Sequence, residues 1–162
     1  MKKLSIIFIV INLIAILGYF NYSIIQKEKL LHQGKLVFLE IAPVDPRSLM
    51  QGDYMRLDYT VGQQLPLDDL PRRGFMVVEL DKNQVGKRIR FQKETTPLHR
   101  GEYLINYSRP QNWRINIGAE SFFFEEGTGE RYEAAKYSAI RVDDQGNSLL
   151  VGLYDKDLKE LK

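Results

Sequence analysis

The sequence predicts a mainly β protein: a single N-terminal transmembrane helix followed by one antiparallel β domain with one or two short helical turns. Three observations carry this. Leu4 to Ile25 contains no charged residue. From Leu36 onward, apolar and polar residues alternate with period two over short runs, the pattern of half-buried strands. Those runs are separated by clusters of Asp, Asn, Gly and Pro, which favour turns. The expected organisation is an anchor over 1–25, a juxtamembrane linker over 26–35 and an extracytoplasmic β domain over 36–162.

As a helix, Leu4 to Ile25 spans about 33 Å, enough for a hydrocarbon core of about 30 Å. Tyr19, Phe20 and Tyr22 gather at its C-terminal end, where an aromatic belt meets the interface. A cleaved signal peptide has a shorter apolar region and small residues at its exit, whereas this run reads Ile16-Leu17-Gly18-Tyr19-Phe20. A buried helix of a soluble core is disfavoured because this run is apolar on every face. The sequence therefore favours an uncleaved anchor. Lys2 and Lys3 precede it and favour a cytoplasmic N-terminus; Lys27 and Lys29 follow it and weaken that bias. Asn12 and Gly18 are the exceptions inside the span, either tolerated variation or a contact with a neighbouring helix. Gln26 to Lys35 is a polar exit that extends the helix by a turn or two before Gly34 stops it.

Charge and composition narrow the function. The chain has 162 residues, 23 Lys+Arg, 21 Asp+Glu and no cysteine. With Lys2 and Lys3 set aside, the remaining basic residues balance the 21 acidic ones, so residues 26–162 carry no basic excess and nucleic acid is not an expected partner. Without cysteine there is no disulfide, thiol catalysis, Cys-ligated zinc or iron–sulfur cluster. Two histidines, His32 and His99, cannot make a His-rich metal site. No cofactor, metal or catalytic residue is assigned.

Within the β domain, Val37, Leu39 and Ile41 are expected to point inward, as are Met55, Leu57, Tyr59 and Val61, then Met76, Val78 and Leu80. Ile89 and Phe91 follow, then Tyr103, Ile105 and Tyr107, then Trp113, Ile115 and Ile117, and finally Leu149, Val151 and Leu153. Arg56, Arg88, Arg90, Arg114 and Arg141 fall on outward positions, to pair with Asp58, Glu79 and other acids or to bind an acidic partner or lipid headgroups. Asp81 to Gln84 and Asp143 to Gly146 read as hairpin turns. Leu65 to Arg73 and Thr95 to Arg100 read as surface loops. Asp45 to Gly52 reads as one helical turn, with Asp45 as cap and Pro46 at its first position. Gly129 to Lys136 reads as a short helix capped by Thr128.

Candidate chemistry is sparse. A Ser–Lys dyad needs a desolvated lysine with lowered pKa. Ser48 precedes Gly52-Asp53, but the place of the nucleophile in the signal-peptidase pattern falls near Val44, and Lys87 alternates like an ordinary strand residue. Glu125, Glu126, Glu130 and Glu133 surround Gly127-Thr128-Gly129, yet their spacing matches no EF-hand loop, and the glycine pair is too short for a phosphate loop.

The sharpest feature is Gly52-Asp53-Tyr54-x-x-Leu57-x-Tyr59, led in by Asp45-Pro46-Arg47. It resembles the signature of the bacterial GDYxxLxY family, with all five fixed positions matched. The later Gly118-Ala-Glu120-Ser-Phe-Phe-Phe124-Glu-Glu126-Gly127-x-Gly129 stretch, with Glu133 after it, is also similar. The resemblance covers about Leu36 to Leu153. It implies a membrane-anchored envelope protein accompanying a multi-span membrane protein, with no established activity. This chain carries no fused multi-span segment, so a direct role in transport is not expected. The resemblance also implies an inner-membrane, single-pass location with the β domain in the periplasm.

The residues of the motif admit two physical readings. Gly52 and Asp53 can lock a turn while Leu57 and Tyr59 point inward. Alternatively Arg47, Asp53 and Tyr54 line a recognition site at the strand entry. The expected function is a membrane-tethered, non-enzymatic β module, an accessory or partner subunit of an envelope complex. The alternative is an extracytoplasmic, hydrolase-like enzyme using Asp53, Glu126 or Glu133.

Overall fold

In the computed structural model, which describes residues 2–42, 54–63, 70–111 and 114–162, the apolar N-terminal run is one unbroken helix, α1 (Lys2–Gln33). Its large apolar side chains from Ile6 to Ile25 are exposed, and the helix is long and apolar enough to cross a membrane. The polar exit after Ile25 is helical as far as Gln33, and strand β1 (Lys35–Ala42) begins one residue after Gly34. Gly34 is required there by close approach: a Cβ would lie 2.5 Å from the Leu30 carbonyl oxygen and 3.1 Å from Arg141 Cβ. Leu30 is buried at this junction, and Arg141 Nη1 donates to the Gly34 carbonyl at 2.9 Å.

The following strands are β2 (Tyr54–Arg56), β3 (Asp58–Tyr59), β4 (Arg73–Leu80), β5 (Gly86–Gln92) and β6 (Glu102–Gln111). Then come β7 (Arg114–Asn116), β8 (Ser121–Phe123), β9 (Tyr137–Val142) and β10 (Ser148–Tyr154). Named strands pair antiparallel throughout: one four-stranded sheet in the order β10-β9-β1-β3, another in the order β5-β4-β6-β7, and a ribbon of β2 with β8. Both sheets turn a face to one shared core. Val37, Leu39, Ile41, Ile140 and Leu153 come from the first, Met76, Val78, Ile105 and Tyr107 from the second, and Met55, Leu57 and Tyr59 close one side. The sheets converge at Gly86, where a Cβ would meet Leu39 Cδ2 at 3.0 Å and Val37 Cγ1 at 3.1 Å.

Two β-bulges shift the expected alternation. In β5, Val77 faces Arg90 and Val78 faces Arg88, so Ile89 has no partner of its own across the ladder. Ile89 is therefore 49% exposed, whereas Phe91 keeps its place against the core. The same slip turns Arg88 onto the inner side, where its Nη1 donates to the carbonyls of Val61 and Gln63. In β10, Leu150 faces Ile140 and Gly152 faces Ala139, leaving Val151 as the extra residue. Leu150, not Leu149 or Val151, then joins Leu153 against the core. Period-two reading assumes an unbroken register, and one inserted residue reverses every side chain beyond it.

Asp81 and Asp143 each accept the backbone N–H groups two and four residues on, closing the expected hairpin turns. Asp155 builds the same turn before the C-terminal residues, accepting from Asp157 and Lys159. The fourth position of each has positive φ: Gln84 at 63°, Gly146 at 80° and Leu158 at 58°. The Asp143 turn docks on the β6 edge beyond the end of β7, with Asn106 N–H donating to the Gly146 carbonyl at 2.7 Å. The expected Gly129–Lys136 helix is instead a 3₁₀ turn over Gly129–Tyr132. Thr128 does not cap it, because its hydroxyl donates backward to the Glu125 carbonyl at 2.7 Å. The expected turn over Asp45 to Gly52 and most of the Leu65 to Arg73 loop lie outside the described residues.

Candidate functional site

The pairing of β2 with β8 brings together the two stretches that stand out in the sequence. Tyr54 faces Phe123, Met55 faces Phe122 and Arg56 faces Ser121. Because successive strand residues alternate sides, Tyr54 and Phe123 share the outer face of the ribbon and Met55 and Phe122 the inner one. The Tyr54 and Phe123 rings lie 5.9 Å apart, and Phe123 is 70% exposed, an aromatic pair presented to the outside. Behind it, Phe122, Phe124 and Tyr132 form a three-ring cluster with centroids 5.0 to 6.4 Å apart.

Past the ribbon, Leu57 and Tyr59 stitch the first stretch to the second. The Leu57 N–H donates to the Glu120 carbonyl at 2.8 Å, and its side chain is fully buried. The Tyr59 hydroxyl donates to the Ala119 carbonyl. Burial raises the Tyr59 phenol well above the ordinary tyrosine range; the nearby Ser138 hydroxyl opposes that shift, and the Glu120 charge adds to it. Glu120 folds back so that Oε1 accepts the N–H groups of Ile117 and Gly118. Arg114 pairs with Asp58 between these segments and also reaches the Leu57 carbonyl. For Leu57 and Tyr59 the motif is thus a clamp holding the Ile117–Phe124 segment against the core, and Tyr54 alone of its described residues faces outward.

The other expected site residues fall differently. Asp45, Arg47, Gly52 and Asp53 lie outside the described residues. Glu126, Gly127 and Glu133 are exposed and Gly129 half-buried around the 3₁₀ turn, beside the aromatic cluster. Among the described residues no three His, Asp or Glu side chains come close enough to hold a metal ion. Of the arginines read as outward, Arg90 and Arg114 are held by acids, Arg90 bidentately by Glu102, while Arg88 and Arg141 donate to backbone carbonyls. The partner of Arg90 is Glu102, and the segment between β5 and β6 joins the pair, Arg90 donating also to the Pro97 carbonyl and Glu102 accepting from the His99 N–H, which periodicity alone does not reveal. The role of Glu120 was equally invisible, because the groups that donate to it are backbone N–H groups, which every residue but proline possesses; Gly118, two residues before it, takes φ of 85°.

Helix, sheets and ribbon together define a class: a β domain carried directly on one long apolar N-terminal helix. A family model described as "GDYXXLXY protein" matches residues 16–153. The chain belongs to the GDYXXLXY family. The match begins inside α1, so the helix–domain junction at Leu30 and Gly34 falls within it. Comparison with curated proteins and with solved structures gave no match.

Proposed function

We propose that this protein is a membrane-tethered, non-enzymatic β module on the extracytoplasmic face, serving a multi-span membrane protein of the envelope as an accessory or partner subunit. The observation that carries the reading is the unbroken run from the exposed apolar part of α1 into the β domain, with Gly34 as the sole residue between helix and strand. A domain joined this way is held in a set orientation at the bilayer surface, as suits a subunit that meets a neighbour in the same membrane.

Three further features support it. The outward Tyr54–Phe123 pair offers the rigid aromatic surface that protein interfaces favour. Two of the three carboxylates of the enzyme alternative, Glu126 and Glu133, are exposed to solvent rather than enclosed with a reacting group. The lysine pair at the start of α1, ahead of its apolar span, supports a cytoplasmic N-terminus and a periplasmic domain, against the counterweight of Lys27 and Lys29.

The test is purification of the full chain in mild detergent after crosslinking in membranes. The reading expects a stoichiometric multi-span partner. A lone monomer retaining a small molecule would favour the enzyme. A cysteine placed after Lys162 should react with a membrane-impermeant reagent from the periplasmic side, and labelling only from the cytoplasm would reverse the topology.

A further inference from the structure

Where α1 leaves its apolar span it does not pack closely on the β domain; it stands over a cleft of about 950 Å³. Ser23, Gln26, Lys27 and Leu30 line that cleft from one helix face, at the spacing i, i+3, i+4 and i+7. A face serving only to pack against a sheet would be apolar, yet of these four only Leu30 is apolar and buried. Arg73 and Lys93 line the opposite wall, near the aromatic rings of Phe75 and Tyr107. Among the described residues Lys27, Arg73 and Lys93 form no ion pair. The acid in the lining, Asp143, is occupied by its own turn, with Oδ1 accepting from Gln145 and Asn147 and Oδ2 from the Asn147 amide.

Position along the helix says what could reach these cations. The headgroup layer adds about 5–7 Å to each side of the hydrocarbon core, and Gln26 to Leu30 rise about 7.5 Å beyond Ile25. The cleft therefore opens at headgroup depth. A second cleft, of about 1150 Å³, lies on the other flank of Leu30, but there the cations Lys29, Lys35 and Arg141 share the lining with three acids, Glu102, Asp143 and Asp144, while Arg141 donates to the Gly34 carbonyl and Lys35 lies over the Tyr103 ring.

We propose that the first cleft binds the phosphate-bearing headgroup of an anionic phospholipid, with Lys27, Arg73 and Lys93 facing the phosphate and Leu30 and Phe75 meeting the glycerol and upper acyl region. This rests on the anchor reading above, because only a membrane-inserted α1 brings the cleft to the lipid. It gives the domain a second attachment to the bilayer besides the helix, and so a defined tilt.

The experiment is native mass spectrometry of the full chain in non-ionic detergent, with phosphatidylglycerol and phosphatidylcholine added at equal concentration. Phosphatidylglycerol should be retained about tenfold over phosphatidylcholine. Arg73→Gln/Lys93→Gln should lose that preference, and so should Lys27→Gln, which alters no residue of the β domain. Lys82→Gln/Lys87→Gln, on exposed residues away from the cleft, should keep it. Equal retention of both lipids, or equal loss in all variants, overturns the proposal. Displacement by millimolar glycerol phosphate would make the ligand a free phosphate compound and overturn the lipid source. A polypeptide lost from Arg73→Gln/Lys93→Gln preparations without any lipid preference would overturn it in favour of a protein occupant. Alkaline extraction of membranes separates the two readings: release of the wild type sinks the anchor itself, whereas sedimentation without lipid preference sinks the lipid site alone.

Discussion

Tyr59 donates its phenolic hydroxyl to the backbone carbonyl of Ala119, sixty positions further along the chain, and the bond is buried. One residue of the family motif thereby fixes a segment that has little regular structure of its own. Removing the hydroxyl leaves the ring in place and the carbonyl without its donor. Tyr59→Phe should cost about 1–2 kcal/mol of stability, read as a lower denaturation midpoint of the full chain in detergent. The phenol is raised above the ordinary range mainly by burial, so the folded state resists its ionisation. This contribution to stability should therefore be complete below about pH 10 and be lost as pH climbs beyond it. Tyr59→Phe should flatten that alkaline decline.

Glu102 governs the acid side. Its carboxylate receives two bonds from the Arg90 guanidinium, at 2.5 and 2.8 Å, and one from the His99 N–H at 2.9 Å. Arg90 first, and then the His99 N–H, hold the carboxyl at about 2, against an ordinary value of 4.5. The unfolded chain takes up this proton more readily than the folded one, so the contribution is present above pH 4.5 and is lost as pH falls toward 2. Glu102→Gln keeps the shape but not the charge. It should lower the melting temperature at pH 7 and show a shallower loss between pH 4.5 and 2 than the wild type, measured as a melting-temperature profile across that range.

The close approach of the two sheets gives a third prediction. A methyl group on residue 86 would press on Leu39 and Val37, both fully buried, at 3.0 and 3.1 Å. Those side chains have little room to give, so Gly86→Ala should destabilise by about 1–3 kcal/mol. Leu39→Ala in the same chain should relieve the pressure, giving a double variant less destabilised than the sum of the single ones in a denaturation cycle.

Much of this architecture is written locally. The long apolar N-terminal helix, the strand runs from Leu36 onward and the Asp81 and Asp143 turns all follow from composition and spacing over a few residues, and the structure has them. What local pattern cannot carry is register. The bulges at Ile89 and Val151 depend on which strand lies alongside, so they move Arg88 inward and replace Val151 with Leu150 at the core without any warning in the run itself. The Asp155 turn was equally unreadable, because Leu158 stands in its left-handed position, where Gly or Asn would signal a turn. At the candidate site, the inward direction of Leu57 and Tyr59 was legible from alternation. Their partners Glu120 and Ala119 were not, because those contacts use backbone carbonyls that every residue possesses.

The repeated turn supplies a fourth prediction. Gln84 is exposed and held at φ of 63°, a region that costs a residue with a Cβ about 1–2 kcal/mol relative to right-handed backbone. Glycine avoids that cost but loses more entropy on folding. Its backbone carbonyl, which accepts the Phe38 N–H at 2.9 Å, is untouched by the change. Gln84→Gly should stabilise by about 0.5–1 kcal/mol, seen as a raised melting temperature.

Tyr54 separates the clamp from the proposed recognition surface. Its ring meets Phe123 on the outer face of the ribbon, whereas Leu57 and Tyr59 hold the core side. An exposed aromatic pair of this kind contributes at most about 1 kcal/mol to the fold. Tyr54→Ala and Phe123→Ala should each leave the melting temperature within a few degrees of the wild type and weaken retention of the proposed membrane partner, measured by quantitative crosslinking in intact membranes. A matched variant at Leu57 would fail differently: Leu57→Ala opens a cavity in the core and should cost about 2–5 kcal/mol. Collapse of the fold in Tyr54→Ala, or full partner retention in both outer-face variants, would assign the whole motif to structure and move the recognition surface elsewhere.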